Sequence, residues 1–109
     1  MVDARQRREQ LLRLERALTS LIALLLQDSG NPWTAHFEDA RERARAVLAA
    51  PVLGQDALTK LATSITSLFD PKDAGFDAYW PAAIAADQLT RMRQAVYDAA
   101  FELRVVERY

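Results

Sequence analysis

Residues 11–26 read LLRLERALTSLIALLL, and the spacing of their apolar side chains decides the fold class. These side chains recur every three and four residues, which is the repeat of an α-helix with one buried face. The expected buried stripe is Leu11, Leu14 or Leu18, Leu21 or Ile22, and Leu25. The apolar part, from Ala17 to Leu26, is about half of the roughly 20 residues that span a bilayer, and acidic residues precede it. We therefore expect an amphipathic helix of a cytoplasmic protein with no membrane segment.

Four segments of the chain show helical periodicity, and their boundaries have chemical reasons. The first helix is expected from about Asp3 to about Asp28, because Gly30 tolerates a positive φ and Pro32 cannot continue a helix. Asn31 stands where an N-cap is needed, so the second helix is expected to start at Pro32. Its expected stripe is Trp33, Phe37, Ala40, Ala44, Val47 and Leu48.

Two more helices are predicted after the break at residues 51–54. The third starts at Gln55 or Asp56 and ends near Asp70-Pro71, and the fourth starts between Pro81 and Asp87 and runs nearly to the C-terminus. The alternative is a shorter fourth helix with an extra turn from Phe76 to Trp80. The expected stripes are Leu58, Leu61, Ala62, Ile65, Leu68 and Phe69 in the third helix, and Leu89, Met92, Val96, Ala99 or Ala100, Leu103 and Val106 in the fourth.

Length and periodicity together predict an all-α protein. A chain of 109 residues is expected to form one domain, 1–109, and is long enough to bury a hydrophobic core. It contains no cysteine, so this core has to be stable without disulfide bonds. Short connections favour antiparallel neighbours, so the expected architecture is an antiparallel up-down four-helix bundle whose outer two helices are longer than the inner two.

Few residues carry recognisable catalytic chemistry. A di-iron bundle needs Glu-x-x-His pairs, but the only histidine, His36, has Trp33 and Asp39 at those spacings. The three glycines are scattered singly, so no phosphate-binding loop is formed. We therefore expect a protein without catalytic activity and without a cofactor or metal site. We interpret His36 as a residue at the boundary of the core, and Trp33 as a core residue that closes one end of the bundle.

The charge balance argues against a dedicated nucleic-acid binder. The formal net charge is 14 − 15 = −1. The basic N-terminal residues, Arg5, Arg7, Arg8, Arg13 and Arg16, outnumber Asp3, Glu9 and Glu15 by only two. An excess of two positive charges is small compared with the number of phosphate contacts that a nucleic-acid-binding surface makes.

The segment from residue 70 to residue 80 is the candidate binding surface. It combines an acidic balance with rigid aromatic side chains, which interface hot spots favour. The predicted partner-binding residues are Asp70, Asp73, Phe76, Asp77, Tyr79 and Trp80. The alternative is that Phe76 and Trp80 fold back to cap the bundle while the aspartates cap helices.

Several short motifs follow one another in a recognisable order. They are Gly30-Asn31-Pro32-Trp33, then Leu68-Phe69 before Gly75, Phe76 and Asp77, then Leu89-x-x-Met92-Arg93-x-x-Val96-Tyr97 followed by Ala99-Ala100. With the leucine-rich first helix, this order resembles a family of small, uncharacterised bacterial helical proteins over most of the chain. Asp70-Pro71-Lys72-Asp73 stands where that family has a glycine-richer loop.

Some members of that family resemble the immunity proteins encoded beside secreted antibacterial toxins. The resemblance implies binding of a protein and no reaction. We therefore expect a non-catalytic module that neutralises a cognate toxin by occluding it, with aspartates facing a cationic toxin surface. The alternatives are a structural or regulatory homodimer or larger homo-oligomer, a nucleic-acid regulator that uses the N-terminal arginines, and a hydrolase with a carboxylate-bound metal.

Overall fold

The computed structural model describes residues 4–50, 54–69, 76 and 79–104. The helices within these ranges are α1 (Ala4–Leu25), α2 (Trp33–Ala49), α3 (Gln55–Thr66) and α4 (Ala86–Arg104), and a 3₁₀ turn (Ser67–Phe69) extends α3. The predicted all-α class is confirmed, and α1 and α4 are the longer helices, as expected. No helix in this part of the chain has both the length and the apolar character that crossing a membrane requires.

The four helices pack as a closed bundle. Helix α1 packs against α2 and α4, and α3 also packs against α2 and α4, so that α1 and α3 lie on opposite corners. Successive helices are therefore neighbours, as in an up-down antiparallel bundle. The molecule is elongated along the helices, with extents of 44 × 27 × 22 Å.

The core is built mainly from the predicted stripes, together with Leu24, Phe76 and Ile84, and α1 supplies seven of its leucine and isoleucine side chains. Where the spacing allowed two choices on one helix, both side chains are buried, as with Ala99 and Ala100. Fully buried leucines of α1 are Leu11, Leu14, Leu18, Leu21 and Leu25. Predicted stripe residues that are only partly buried are Trp33, Val47, Leu48, Leu68 and Met92. Val106 lies outside the described residues.

The turn between α1 and α2 begins earlier than the sequence pattern suggested. Helix α1 ends at Leu25 rather than near Asp28, because the Asp28 N–H donates to the Leu25 carbonyl, a bond of the 3₁₀ type at 3.0 Å. Gly30 then takes a φ of +81°, which turns the chain toward α2. The shorter helix leaves the Asp28 side chain on the turn, where it contacts Tyr79.

Asn31 caps α2 as predicted. Its side-chain Oδ1 accepts hydrogen bonds from the backbone N–H groups of Trp33 and Thr34, both at 2.9 Å. Its Nδ2 donates to the Leu25 carbonyl at 3.0 Å, so one side chain joins the end of α1 to the start of α2. Pro32 already has helical φ and ψ of −76° and −15°, although the helix is assigned from Trp33.

The described residues between α3 and α4 cover one end of the bundle. Helix α3 begins at Gln55 and ends at Thr66, and the 3₁₀ turn then places the Phe69 ring in the core. The predicted end near Asp70-Pro71 falls at residues outside the described part of the chain. The Tyr79 N–H donates to the Phe76 carbonyl at 3.0 Å, which forms a turn where the alternative reading expected one. Helix α4 begins at Ala86, within the predicted range.

Candidate partner-binding surface

The structure describes three of the six residues predicted to bind a partner. Phe76, Tyr79 and Trp80 are described, whereas Asp70, Asp73 and Asp77 lie outside the described residues. The three aromatic side chains are at three different depths, because Phe76 is fully buried, Tyr79 is half-buried and Trp80 is 55% exposed. Of these three residues, only Trp80 is more than half exposed.

Phe76 belongs to the core rather than to the surface. Its ring centroid lies 4.7 Å from that of Phe37, 5.5 Å from that of Phe69 and 5.3 Å from that of Trp33. These tilted and edge-on arrangements are the geometries that aromatic pairs prefer. Phe76 therefore closes the end of the bundle, as the capping alternative expected, and supports the neighbouring surface from below.

Tyr79 joins the same segment to the α1–α2 turn. Its hydroxyl donates a hydrogen bond to a carboxylate oxygen of Asp28, and its ring stacks on Phe76 with centroids 5.8 Å apart. Burial raises the pKa of the Tyr79 hydroxyl, and the hydrogen bond and negative charge of Asp28 raise it further, while the positive charge of Arg93 acts in the opposite direction. Tyr79 therefore stays a neutral donor over the physiological pH range.

Trp80 lies over a buried cation. The guanidinium carbon of Arg93 is 4.3 Å from the centroid of the Trp80 ring and 4.6 Å from that of Phe76. Arg93 is only 6% exposed, so the cation–π contacts form in a largely desolvated place where they are strongest. The Nη2 group of Arg93 also donates to the carbonyl of Phe76 at 2.7 Å and to the carbonyl of Tyr79.

Sequence reasoning missed Arg93 as part of this site. The α4 stripe was expected to pass through Met92, but Leu89, Arg93 and Val96 are also spaced by four and three residues, and all three are buried. An arginine in register with a buried stripe was the available signal. Charged side chains are rarely fully buried unless they have partners, so this register indicates a specific role.

Two further aromatic residues extend the surface along α4. Tyr97 is 37% exposed and Phe101 is 48% exposed, and their rings stack with centroids 6.3 Å apart. The Tyr97 ring also meets the buried Phe69 ring edge-on at 5.5 Å. We call Trp80, Tyr97 and Phe101 the aromatic surface. The sequence signal was two aromatic residues four apart on α4, outside its apolar stripe.

A groove of about 320 Å³ separates Trp80 from Tyr97. Its other lining residues are Phe69, Thr90, Arg93 and Gln94. The groove thus combines aromatic walls with amide and hydroxyl groups that can donate and accept hydrogen bonds. This composition is typical of the centre of a protein interface, where aromatic and arginine side chains are enriched and most other charges are depleted.

The N-terminal arginines are largely engaged within the bundle. Arg7 is 6% exposed and donates to the Gln10 side chain at 2.9 Å and to the Glu102 carbonyl at 3.0 Å. Arg8 donates to the Leu48 carbonyl at 2.9 Å, and Arg13 pairs with the Glu102 carboxylate at 3.0 Å. Three of the five arginines thus join α1 to α2 or α4, and of the five only Arg7 is buried.

A second groove, of about 680 Å³, lies between α1 and α4. Arg13 and Glu102 line it and pair with each other, and Asp98 adds a second carboxylate. Cations and anions therefore offset one another there, so the groove has no clear preference for an anionic or a cationic ligand.

His36 lies on the exposed face of α2 rather than in a site. Its ring centroid is 5.6 Å from that of Trp33, whose own side chain is half-buried against the core. Among the residues that the structure describes, no three histidine, aspartate or glutamate side chains are grouped closely enough to hold a metal ion.

Comparison of the chain with protein-family models, with curated proteins and with solved structures gives no match.

Proposed function

We propose that this chain is a non-catalytic module that binds another protein through the aromatic surface. The observation that carries the proposal is the exposure of Trp80 and Tyr97, which line one groove, and of Phe101, whose ring stacks on that of Tyr97. Large aromatic side chains dominate binding energy at protein interfaces because they bury much area and lose little conformational entropy. Exposed apolar groups that adjoin one another are a common mark of an interaction site.

The partner we propose is a cognate bacterial toxin, which the chain neutralises in the cytoplasm by occluding it. The support for this class of partner is the resemblance of the sequence motifs to proteins that include immunity-like members. In this proposal Asp70, Asp73 and Asp77 face basic residues of the toxin and speed association by electrostatic steering. Tyr79 and Trp80 make contact, and Phe76 supports them from the core.

The first test is recovery of the partner. A tagged copy of the chain is purified from the native bacterium, and the eluate is separated by size exclusion with light scattering. A stoichiometric protein that is toxic when expressed alone, and harmless when co-expressed with this chain, supports the proposal. Recovery of the chain only as a defined oligomer contradicts it and favours the homo-oligomer alternative, in which a helix face is the interface.

The second test places the interface on the chain. Trp80→Ala and Phe101→Ala are expected to weaken binding to the recovered partner by at least about tenfold each, which is the level of a hot-spot residue. Leu26→Ala is the control, because Leu26 is a 64% exposed apolar side chain on the α1–α2 turn. Equal affinities for all three variants would show that the partner binds elsewhere.

A further inference from the structure

We propose that Arg93 is the positioning residue of the aromatic surface. It holds Trp80 in its observed place, and its substitution releases Trp80 while the four-helix bundle stays folded. Arg93 acts from below the surface, because it is 6% exposed whereas Trp80 is 55% exposed. The inference rests on the proposed function only where partner affinity is measured. The mobility of the Trp80 ring can be measured on the purified protein without any partner.

Trp80 depends on Arg93 because its backbone is outside every helix. Residues 79–81 follow the turn at Phe76 and precede α4, so no ladder of helical hydrogen bonds fixes them. Tyr79 is also held by Phe76 and Asp28, but the contact of the Trp80 ring is with one guanidinium group, that of Arg93. It lies 4.3 Å from the centroid of the Trp80 ring, and its Nη2 donates to the carbonyl of Tyr79, the preceding residue.

The same guanidinium group holds the segment at a second point. Nη2 donates to the Phe76 carbonyl at 2.7 Å, and the guanidinium carbon lies over the rings of both Phe76 and Trp80. One planar cation thus contacts two rings and donates to two backbone carbonyls. This combination is specific to arginine, because the lysine ammonium is a compact charge without a flat face or a rigid fork of donors.

The bundle has contacts of its own that do not pass through Arg93. Phe76 is surrounded by Phe37, Phe69 and Trp33 at centroid distances of 4.7, 5.5 and 5.3 Å. Tyr79 is held separately by its hydrogen bond to Asp28. Loss of Arg93 therefore removes the contacts specific to Trp80 and leaves the aromatic cluster under it in place.

Holding Trp80 in place raises affinity, because a ring that is already ordered loses less conformational entropy when a partner covers it. The proposal thus separates two roles in one surface. Trp80 makes the contact, and Arg93 lowers the entropic cost of making it.

The test uses the two indole N–H signals of the chain, since it contains only Trp33 and Trp80. The full-length protein is labelled with ¹⁵N, and Trp80→Phe assigns the signals. The variants are Arg93→Lys, which keeps the charge, and Arg93→Met, which removes it. Arg91→Met is the matched control, because Arg91 is an exposed arginine on the same helix that pairs with Asp87 at 3.8 Å.

In both Arg93 variants, we expect the Trp80 signal to move toward the position of free indole and its heteronuclear NOE to fall. The Trp33 signal and the far-ultraviolet helical signal are expected to remain, and Arg91→Met is expected to resemble the unchanged protein. A Trp80 signal that keeps its position and its NOE in both variants would overturn the proposal. So would loss of the helical signal in both, since Arg93 would then support the whole core.

Partner affinity separates this inference from the proposed function. Arg93→Lys is expected to weaken binding of the recovered partner by about tenfold, mainly through faster dissociation. If Trp80 is released and the affinity is unchanged, the positioning role stands and the proposed binding surface is wrong. If Trp80 stays ordered and the affinity falls, the positioning role is wrong and the surface stands.

Discussion

The hydroxyl of Tyr79 donates a hydrogen bond to the carboxylate of Asp28, 51 residues earlier in the chain. This bond ties the segment before α4 to the turn between α1 and α2. Both groups are partly buried, so water competes with the bond only in part. The two longest connections of the bundle are thus joined at one end by a single pair of side chains.

Tyr79→Phe is expected to lower the free energy of unfolding at neutral pH by about 1 kcal/mol, which is typical of one side-chain hydrogen bond. The pKa of Tyr79 is raised in the folded protein, so this contribution is complete below the unfolded pKa of about 10 and is lost as pH rises through the folded pKa. Urea unfolding of both proteins between pH 7 and strongly alkaline pH checks this.

The control for that series is Tyr97→Phe, which changes a hydroxyl on the aromatic surface. It is expected to change stability by less than about 0.5 kcal/mol, as most surface substitutions do. A difference between Tyr79→Phe and the unchanged protein that grows with rising pH would contradict the assignment of the bond to the neutral hydroxyl.

Phe76→Ala and Trp80→Ala are expected to lower the stability of the protein by different amounts. Phe76 is fully buried among four other rings, so its truncation is expected to lower the free energy of unfolding by about 3–5 kcal/mol. Trp80 is mostly exposed, and its loss is expected to lower that free energy by about 1 kcal/mol through the cation–π contact with Arg93. Denaturant unfolding measures both values. Similar losses for the two variants would mean that Trp80 also belongs to the core.

Asn31→Ala is expected to lower the free energy of unfolding by about 1–2 kcal/mol, the cost of losing a helix N-cap. The reason is that Oδ1 accepts from two backbone N–H groups and Nδ2 donates to the end of α1. Ser29→Ala, an exposed position in the same turn, is the control and is expected to change little. Thermal unfolding followed by circular dichroism compares the two, and equal midpoints would rule out the cap as a main support of the turn.

Gly30→Ala is expected to lower the free energy of unfolding by about 1 kcal/mol through backbone strain alone. The φ of Gly30 is +81°, and a Cβ built there meets no atom within 4 Å. Gly54→Ala has the same open surroundings but a φ of −81°, which every residue adopts. That control is expected to stay within about 0.5 kcal/mol of the unchanged protein, since a slightly poorer N-cap offsets a stiffer unfolded chain. A larger loss at Gly54 than at Gly30 would refute the strain argument.

The local sequence could not predict how deeply each aromatic side chain of the site is buried. Phe76 and Trp80 are four residues apart in one irregular segment, and no periodic pattern assigns one of them to the core. Their depths differ because Phe76 fills the space between Phe37 and Phe69, which come from two other helices. Tyr97 and Phe101 were visible on α4, but their proximity to Trp80 depends on how the preceding segment folds back.

The sequence by itself determined the all-α class, the four helices, their buried stripes and the Asn31 cap. These features depend on interactions within a few residues, namely the three- and four-residue spacing of apolar side chains and the satisfaction of backbone groups at helix ends. Only the tertiary structure decided that Arg93 is buried, that Tyr79 reaches Asp28, and that Trp80 joins Tyr97 and Phe101 on one face. Each of these depends on side chains that are distant in sequence, and their partners are fixed only once the helices have packed around a common core.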